Sequence, residues 1–599
     1  MICRPDKVLL AALLAALAQP AAAGSADDPL ADATAAIERG DGISAEVAAR
    51  RALAEGRPHV AVDAYLGEAA MLEKDLDDAR QWLGPGQFDA ASAQRGFDAL
   101  GRLELQQGDF AAAAKAFDRA LAAGSPNARL WVDIGRMRYA GGEQHLAADA
   151  VNRALSIDPG EPRALRFQAE LVRDSQGLVA SLPLFERAMQ RAPKDLDLLG
   201  DYGAALAEAG RYTDMLAIAR TMVKIDRTDP RAYFLEAVLA ARAGEDDLAQ
   251  RLLWLTHGEY DDKPAGLLLE GVLDFRDGSI ELAVNKFDEL ARRQPDNEAV
   301  ARVLGRALLA DGDASDVVAR FAPLAARPEA SPYMLTLVAR AYERIDRRDL
   351  AAPLLDRAAS ASDTGVKPLP VSDDDSLAIY RAGDDDPTSA AVAMPMLRQM
   401  LGEGRTADAA AYADKLQARY PNSSDVAVLV GDAALLAGDP AAALRAYRSA
   451  EQVRWTAPLA KRIAAAEVRL GQEGAAEVEL KGYFLQHPQA REITALLGRA
   501  AAAEGYWSDS AMLLKHATQL PGGADDPQAF TALADAQLHL GDAAGALASA
   551  RQAYALQRSS PRATAMLAAA LQANGAPGGA AILRAKARSI GGEPAQALR

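Results

Sequence analysis

At 599 residues, half of them hydrophobic but only 5% aromatic, the chain is too long for one compact domain and too poor in alternating β-branched runs for a sheet protein. A formal charge of −17, from 83 acidic and 66 basic side chains, makes a soluble surface that repels nucleic acid and anionic membrane. The single cysteine, Cys3, excludes disulfides and cysteine-based zinc sites.

Read from its start, the chain opens like a secretory leader. Arg4 and Lys7 supply the positive end, residues 8–18 the short apolar core, and Ala21, Ala22 and Ala23 a small-residue cleavage site before Gly24. The reading is therefore of an exported, periplasmic protein of bacterial type with a signal peptide at 1–23. A lipoprotein would carry its cysteine after the apolar core, so no lipid anchor is expected. Cleavage removes Arg4, Lys7 and Asp6 and takes the charge from −17 to −18. It also leaves no thiol to misoxidise in an oxidising compartment.

From residue 26 a period of 34 runs without gaps through ten frames, starting at 26, 60, 94, 128, 162, 196, 230, 264, 298 and 332. Position 8 is always Gly or Ala: Ala33, Gly67, Gly101, Gly135, Ala169, Gly203, Ala237, Gly271, Gly305, Ala339. Position 20 is mostly Ala, and position 24 is apolar, with Phe117, Phe185, Phe287 and Phe321 among its members. A unit of this length holds two helices of about three turns and two tight turns. The expectation is that positions 8 and 20 face each other where the axes cross, leaving room for a methyl group at most. Gly at position 15 (Gly40, Gly108, Gly142, Gly210, Gly244, Gly278, Gly312) marks the end of the first helix. Pro159, Pro193 and Pro295 at position 32 block continuation of the second.

The stretch Trp131, Ile134, Gly135, Tyr139, Ala147, Ala154, Pro159 resembles a tetratricopeptide repeat, and Phe97, Leu100, Gly101, Phe110, Ala113, Phe117, Ala120 match it one frame earlier. The resemblance implies an all-α fold, a right-handed superhelical solenoid of about sixteen helix-turn-helix repeats. The frames at 26, 196, 230 and 298 depart from the pattern in their aromatics and proline.

The register breaks after about residue 365. Residues 366–389 hold Pro368, Pro370 and two acidic triplets, Asp373 to Asp375 and Asp384 to Asp386, around a short helical segment. Clustered carboxylates suit calcium, but the spacing matches no calcium loop, and a solvated acidic linker accounts for the same residues. Repeats resume at 390, 424, 457, 491, 527 and 561. The expected organisation is an N-terminal array at 24–365, a linker at 366–389, a C-terminal array at 390–588 and a tail at 589–599, with the two arrays as separable bodies.

Nothing in the chain reads as chemistry. Six histidines, His59, His145, His257, His487, His516 and His539, are far apart and form no zinc-protease pair. There is no nucleophile elbow, phosphate loop or dinucleotide fingerprint. The reading is of a non-enzyme with no cofactor and no metal. Its partners are proteins or peptides of an envelope, secretion or polysaccharide machine. Two alternatives remain: a regulatory subunit of a glycan synthase or hydrolase, or the repeat component of an exopolysaccharide-export system whose barrel is a separate chain.

In the family that the chain resembles, first-helix positions 5, 9, 12 and 13 line the inner groove. Here they give a basic stretch, Arg102, Arg136, Tyr139, Arg166 and Arg173, and a second one, Arg302, Arg306, Arg340 and Arg344. Between them lie Phe234, Val238, Leu268, Val272 and Phe275. The resemblance thus implies a peptide groove with cationic ends for carboxylates and an apolar middle. The competing account is that arginine is simply the chain's common cation and that the apolar members pack the core.

Overall fold

The computed structural model describes residues 28–295, 297–327, 330–360 and 390–591. The expected signal peptide, the acidic linker and the end of the tail lie outside this set. Every long element among the described residues is an α-helix, and the helices form sixteen consecutive pairs, one for each frame read from the sequence. From Ala128 onward each first helix begins at its expected frame: Ala128–Ala140, Pro162–Ser175, Leu196–Glu208 and so on to Pro561–Ala573. The last helix, Pro577–Gly591, runs past the expected start of the tail at 589. By its contacts the chain divides into two compact units after Pro159, within the stretch read as the N-terminal array. In both, the architecture is an all-α solenoid of tetratricopeptide-like helix pairs.

The glycines of position 8 do what a methyl-sized site requires, but against a different neighbour from the one expected. A Cβ added to Gly101 would lie 2.6 Å from the Phe117 ring, one at Gly271 the same distance from Phe287, and one at Gly431 only 2.3 Å from Tyr447. These rings occupy position 24, not position 20. The alanines of position 20, such as Ala113 and Ala283, are fully buried. They let the second helix come close, and the aromatic one turn later lies across the glycine backbone. At Gly101, Gly271 and Gly431 the expected crossing of positions 8 and 20 is thus corrected to a bulky residue over a glycine, whereas Gly203 and Gly305 lie nearest to Leu235 and Leu337 of the next repeat.

The turn between the helices of a pair is built locally. Gly108 (φ 79°) takes the left-handed conformation, and Asp109 then caps the next helix by accepting from the Ala112 N–H at 2.8 Å. Two pairs put a side chain at the same left-handed position: Lys74 (φ 63°) and Asp346 (φ 59°).

Two second helices are shorter than the expected three turns. Leu76–Leu83 stops at Gly84, Pro85 and Gly86, where proline withholds the next N–H. Asp246–Trp254 stops because residues 255–263 turn back: His257 adopts φ 51°, and Tyr260 leaves the helical path to stack on Phe234, ring centroids 3.9 Å apart.

Candidate functional site

The inner-face residues read from the sequence are held in different ways. Arg102, on the helix Ala93–Gln106, is half-buried and donates to Glu68, which also accepts from Arg95. Burial opposes its charge, but Glu68, Asp133 and Asp98 outweigh burial and hold the guanidinium above its ordinary pKa. Arg136 and Tyr139 are half-buried on Ala128–Ala140, and neither is unpaired.

In the unit from residue 160 onward, Arg166 donates to Asp201 at 2.6 Å and lies 3.3 Å from Glu170. Arg173 is 3.4 Å from Asp174 and faces Glu208, whose carboxyl burial pushes upward. Phe234 and Val238 lie against the core cluster of Ala237, Ala241 and Leu273. Leu268 is exposed, whereas Val272 and Phe275 lie against the next cluster. Arg340 pairs with Glu343, and Arg344 donates to the Leu309 carbonyl.

One regularity explains most of these partners. Arg102 meets Glu68 34 residues away, Arg231 meets Asp197 at the same separation, and Arg166 meets Asp201 at 35. Arg276 and Arg469 reach the backbone carbonyls of Ala241 and Leu435 at 35 and 34. Translation by one repeat places like positions side by side, so a carboxylate near i±34 neutralises an inner-face arginine. This signal was present in the sequence; reading each helix face alone misses it.

Arg306 is held otherwise. It is 57% exposed, lies 5.3 Å from the Phe275 ring centre, and pairs at 3.4 Å with Asp525, 219 residues further along the chain. Next to it Arg302 stacks over the Tyr333 ring at 4.4 Å. Asp525 comes from the short 3-10 turn Gly523–Asp525. The following Asp526 caps the helix Pro527–His539, accepting from Gln528 and Ala529, and meets Arg491 at 3.3 Å. Two adjoining cavities, about 260 and 90 Å³, open along this seam. Their walls hold six cations (Arg302, Arg306, Arg340, Lys461, Arg491, Arg499) against four carboxylates (Glu298, Glu492, Asp525, Asp526), in a chain whose net charge is −17.

A second contact joins the same two stretches of chain without ion pairs. The Trp455 N–H donates to the Asp174 carbonyl at 2.7 Å, and the Ala180 N–H to Gln486 Oε1 at 2.9 Å. Gly177 leaves the space: a Cβ there would be 2.5 Å from that of Gln486. Behind it Trp455 meets Tyr483 edge-on at 5.2 Å and donates through Nε1 to Glu479 at 2.7 Å, while Tyr483 stacks on His487 at 4.4 Å. Burial lowers the His487 imidazole to about 4 and pushes the Tyr483 phenol up to about 12.

Among the described residues no cluster of three or more His, Cys, Asp or Glu side chains could hold a metal ion. No described helix is long and apolar enough to cross a membrane. The family model of the tetratricopeptide repeat matches residues 99–162 and 401–458. No curated protein matches the chain. Among solved structures, the Cut9–Hcn1 hetero-tetramer of the APC/C is 13% identical, with 98% of this chain and 97% of that one covered and a TM-score of 0.36. Human IFIT1, solved as a dimer with PPP-AAAA, is 14% identical over 65% of this chain and 90% of that one, with a TM-score of 0.34. A tetratricopeptide repeat protein from Parabacteroides merdae is 14% identical over 39% and 92%, with a TM-score of 0.29.

Proposed function

We propose that this chain, a tetratricopeptide repeat protein, is an exported scaffold of the bacterial periplasm that holds a partner of an envelope, secretion or polysaccharide machine by an extended segment with acidic groups. The observation that carries the reading is the seam around Arg302, Arg306 and Arg340, where cations outnumber carboxylates on an acidic protein. Arginine forks bind carboxylates in two-point geometry, and the apolar faces of Tyr333, Leu337 and Leu556 beside them supply anchors for side chains between the acids. The leader-like start of the sequence supports export, since a positive end, a short apolar core and an Ala-rich cleavage site stand in that order. The peptide segment is expected along first-helix faces from Arg166 and Arg173, past Phe234, Val238 and Phe275, to Arg302, Arg306 and Arg340.

The experiment joins location to capture. Residues 1–30 fused to an alkaline phosphatase that is active only when exported should yield activity, and loss of Arg4 and Lys7 should abolish it. From a periplasmic extract, the wild-type protein should retain its partner in a salt-dependent manner. The doubly reversed Arg302→Glu, Arg306→Glu protein, folded by circular dichroism, should lose it. An inactive fusion sinks the export reading. Unchanged capture with unchanged salt dependence sinks the seam as the binding face.

A further inference from the structure

The loop that brings Asp525 to Arg306 exists because one repeat is longer than its neighbours. First helices begin at Arg491, Pro527 and Pro561, so the unit between Arg491 and Pro527 spans 36 residues where the next spans 34. The two extra residues fall between the helix Trp507–Gln519 and Pro527. There Gly522 takes φ 76°, and Gly523 packs so tightly that a Cβ on it would lie 2.1 Å from the Ala517 carbonyl oxygen. Only glycines permit that turn, and its product is Asp525 pushed outward in front of the helix it precedes. On the opposite wall Arg306 is the inner-face arginine whose carboxylate partner lies more than 200 residues away rather than one repeat away.

We infer that residues 522–526 form an internal acidic latch: the chain's own Asp525 occupies the place of a partner's carboxylate, and an acidic partner segment binds by displacing it. The inference rests on the seam being the binding face. Three features suit a contact that must open. Arg306 and Asp525 are both partly solvated, so their pairing is weak and screened by salt. The wall cations exceed the wall carboxylates with Asp525 counted, so an incoming carboxylate finds a further partner in Arg302, which stacks on the Tyr333 ring. The contact at Trp455 and Gln486 is made of hydrogen bonds and apolar surface, so it can hold the two stretches together while the latch moves. The occupant is an acidic peptide segment because the internal occupant is a carboxylate carried on a short turn between two helices.

The test uses the full chain and separates the latch from the face beneath it. In a Cys3→Ser background, spin labels are placed on the exposed residues Ile345, on the Arg340 side, and Ala524, within the latch, introduced as Ile345→Cys and Ala524→Cys, and their distance distribution is measured with and without Asp525→Asn. The probe is a fluorescein-labelled octapeptide of alternating aspartate and leucine. Asp525→Asn should broaden the distribution toward longer distances and tighten peptide binding by about three- to fivefold, the range an exposed ion pair of at most ~1 kcal/mol allows. Arg306→Glu should weaken peptide binding in either background. A distance distribution unchanged by Asp525→Asn overturns the latch whatever the peptide does. An opened seam that binds no peptide overturns both the acidic ligand and the proposed face. Preference of the opened seam for a labelled oligonucleotide over the peptide overturns the ligand class.

Discussion

The interior of a helix pair and the seam between distant repeats are built on opposite plans. Inside the pair Ser424–Leu436 and Pro440–Glu451, Gly431 lies under the Tyr447 ring, and the Tyr447 hydroxyl donates to Asp432 at 2.7 Å. Arg462 of the next helix completes the site, donating to the two oxygens of Asp432 at 2.7 and 3.1 Å. Asp432 and Tyr447 are buried, Arg462 is largely shielded, and each is hydrogen-bonded to a partner within one repeat. At the seam Arg306 and Asp525 are 219 residues apart, their ion pair is solvated, and the wall cations exceed the wall carboxylates. The difference teaches where this fold stores stability and where it leaves binding capacity. A fully matched buried charge cannot take a ligand without leaving something unpaired, whereas a solvated, mismatched one can.

The most damaging way to break the interior is to remove its buried carboxylate. Asp432, its side chain 1% exposed, holds Arg462 and Tyr447 together, so Asp432→Ala strands a largely shielded guanidinium and a buried hydroxyl. It should cost about 3–5 kcal/mol in urea unfolding of the C-terminal repeats. A loss under ~1 kcal/mol would mean that the interior is as tolerant as the seam.

Next in size is the crossing. Gly271→Leu must drive its side chain into Phe287, whose ring would be 2.6 Å from the first added carbon. A destabilisation of roughly 1–3 kcal/mol is expected, with lower helicity. Ala substitution at the exposed turn glycine Gly278 (φ 89°) instead strains only the backbone and should cost less. Equal effects at the two sites would remove the packing account of position 8.

The second contact, at Trp455 and Gln486, is sharpened by pH. His487 is kept neutral by burial, its pKa lowered to about 4 from an ordinary 6.5. The unfolded chain therefore binds the proton first. The stability due to the neutral ring is complete above pH 6.5 and is lost as pH falls toward 4. Thermal melts between pH 7 and 4 should show a loss that His487→Phe reduces, since phenylalanine keeps the stack on Tyr483 and does not titrate. Parallel curves for the two proteins would mean that the ring is solvated.

The smallest effect expected is a gain. Lys74 and Asp346 occupy the left-handed position that glycine fills elsewhere in the arrays. Lys74→Gly and Asp346→Gly should each stabilise by about 0.5 kcal/mol, the relief of strain being partly offset by the freer unfolded chain. A destabilisation at either site, read by denaturant midpoint, would show that the side chain contributes more than its backbone costs.

How legible this was depends on how local the cause is. The 34-residue period located the helix pairs because glycine at position 15, a capping aspartate after it and a small residue at position 8 each act within one unit. The first-helix positions of Arg102, Arg166 and Arg306 followed from the same register, but their partners were not read, because helix-face geometry names a direction and not what meets it. The truncated helix Asp246–Trp254 escaped for a related reason: Tyr260 leaves the helical path to stack on Phe234, in the other helix of its pair.

The sequence by itself determined the all-α character, the sixteen pairs and the phase of each, since these follow from propensity, backbone conformation and a fixed hydrophobic spacing repeated in register. Only the tertiary structure decided that Gly101, Gly271 and Gly431 lie under aromatics of position 24, and that Asp525 and Gln486 reach back to Arg306 and Ala180. The physical reason is that small rotations between successive pairs accumulate over the array. Which distant surfaces meet depends on their sum, and no single repeat encodes it.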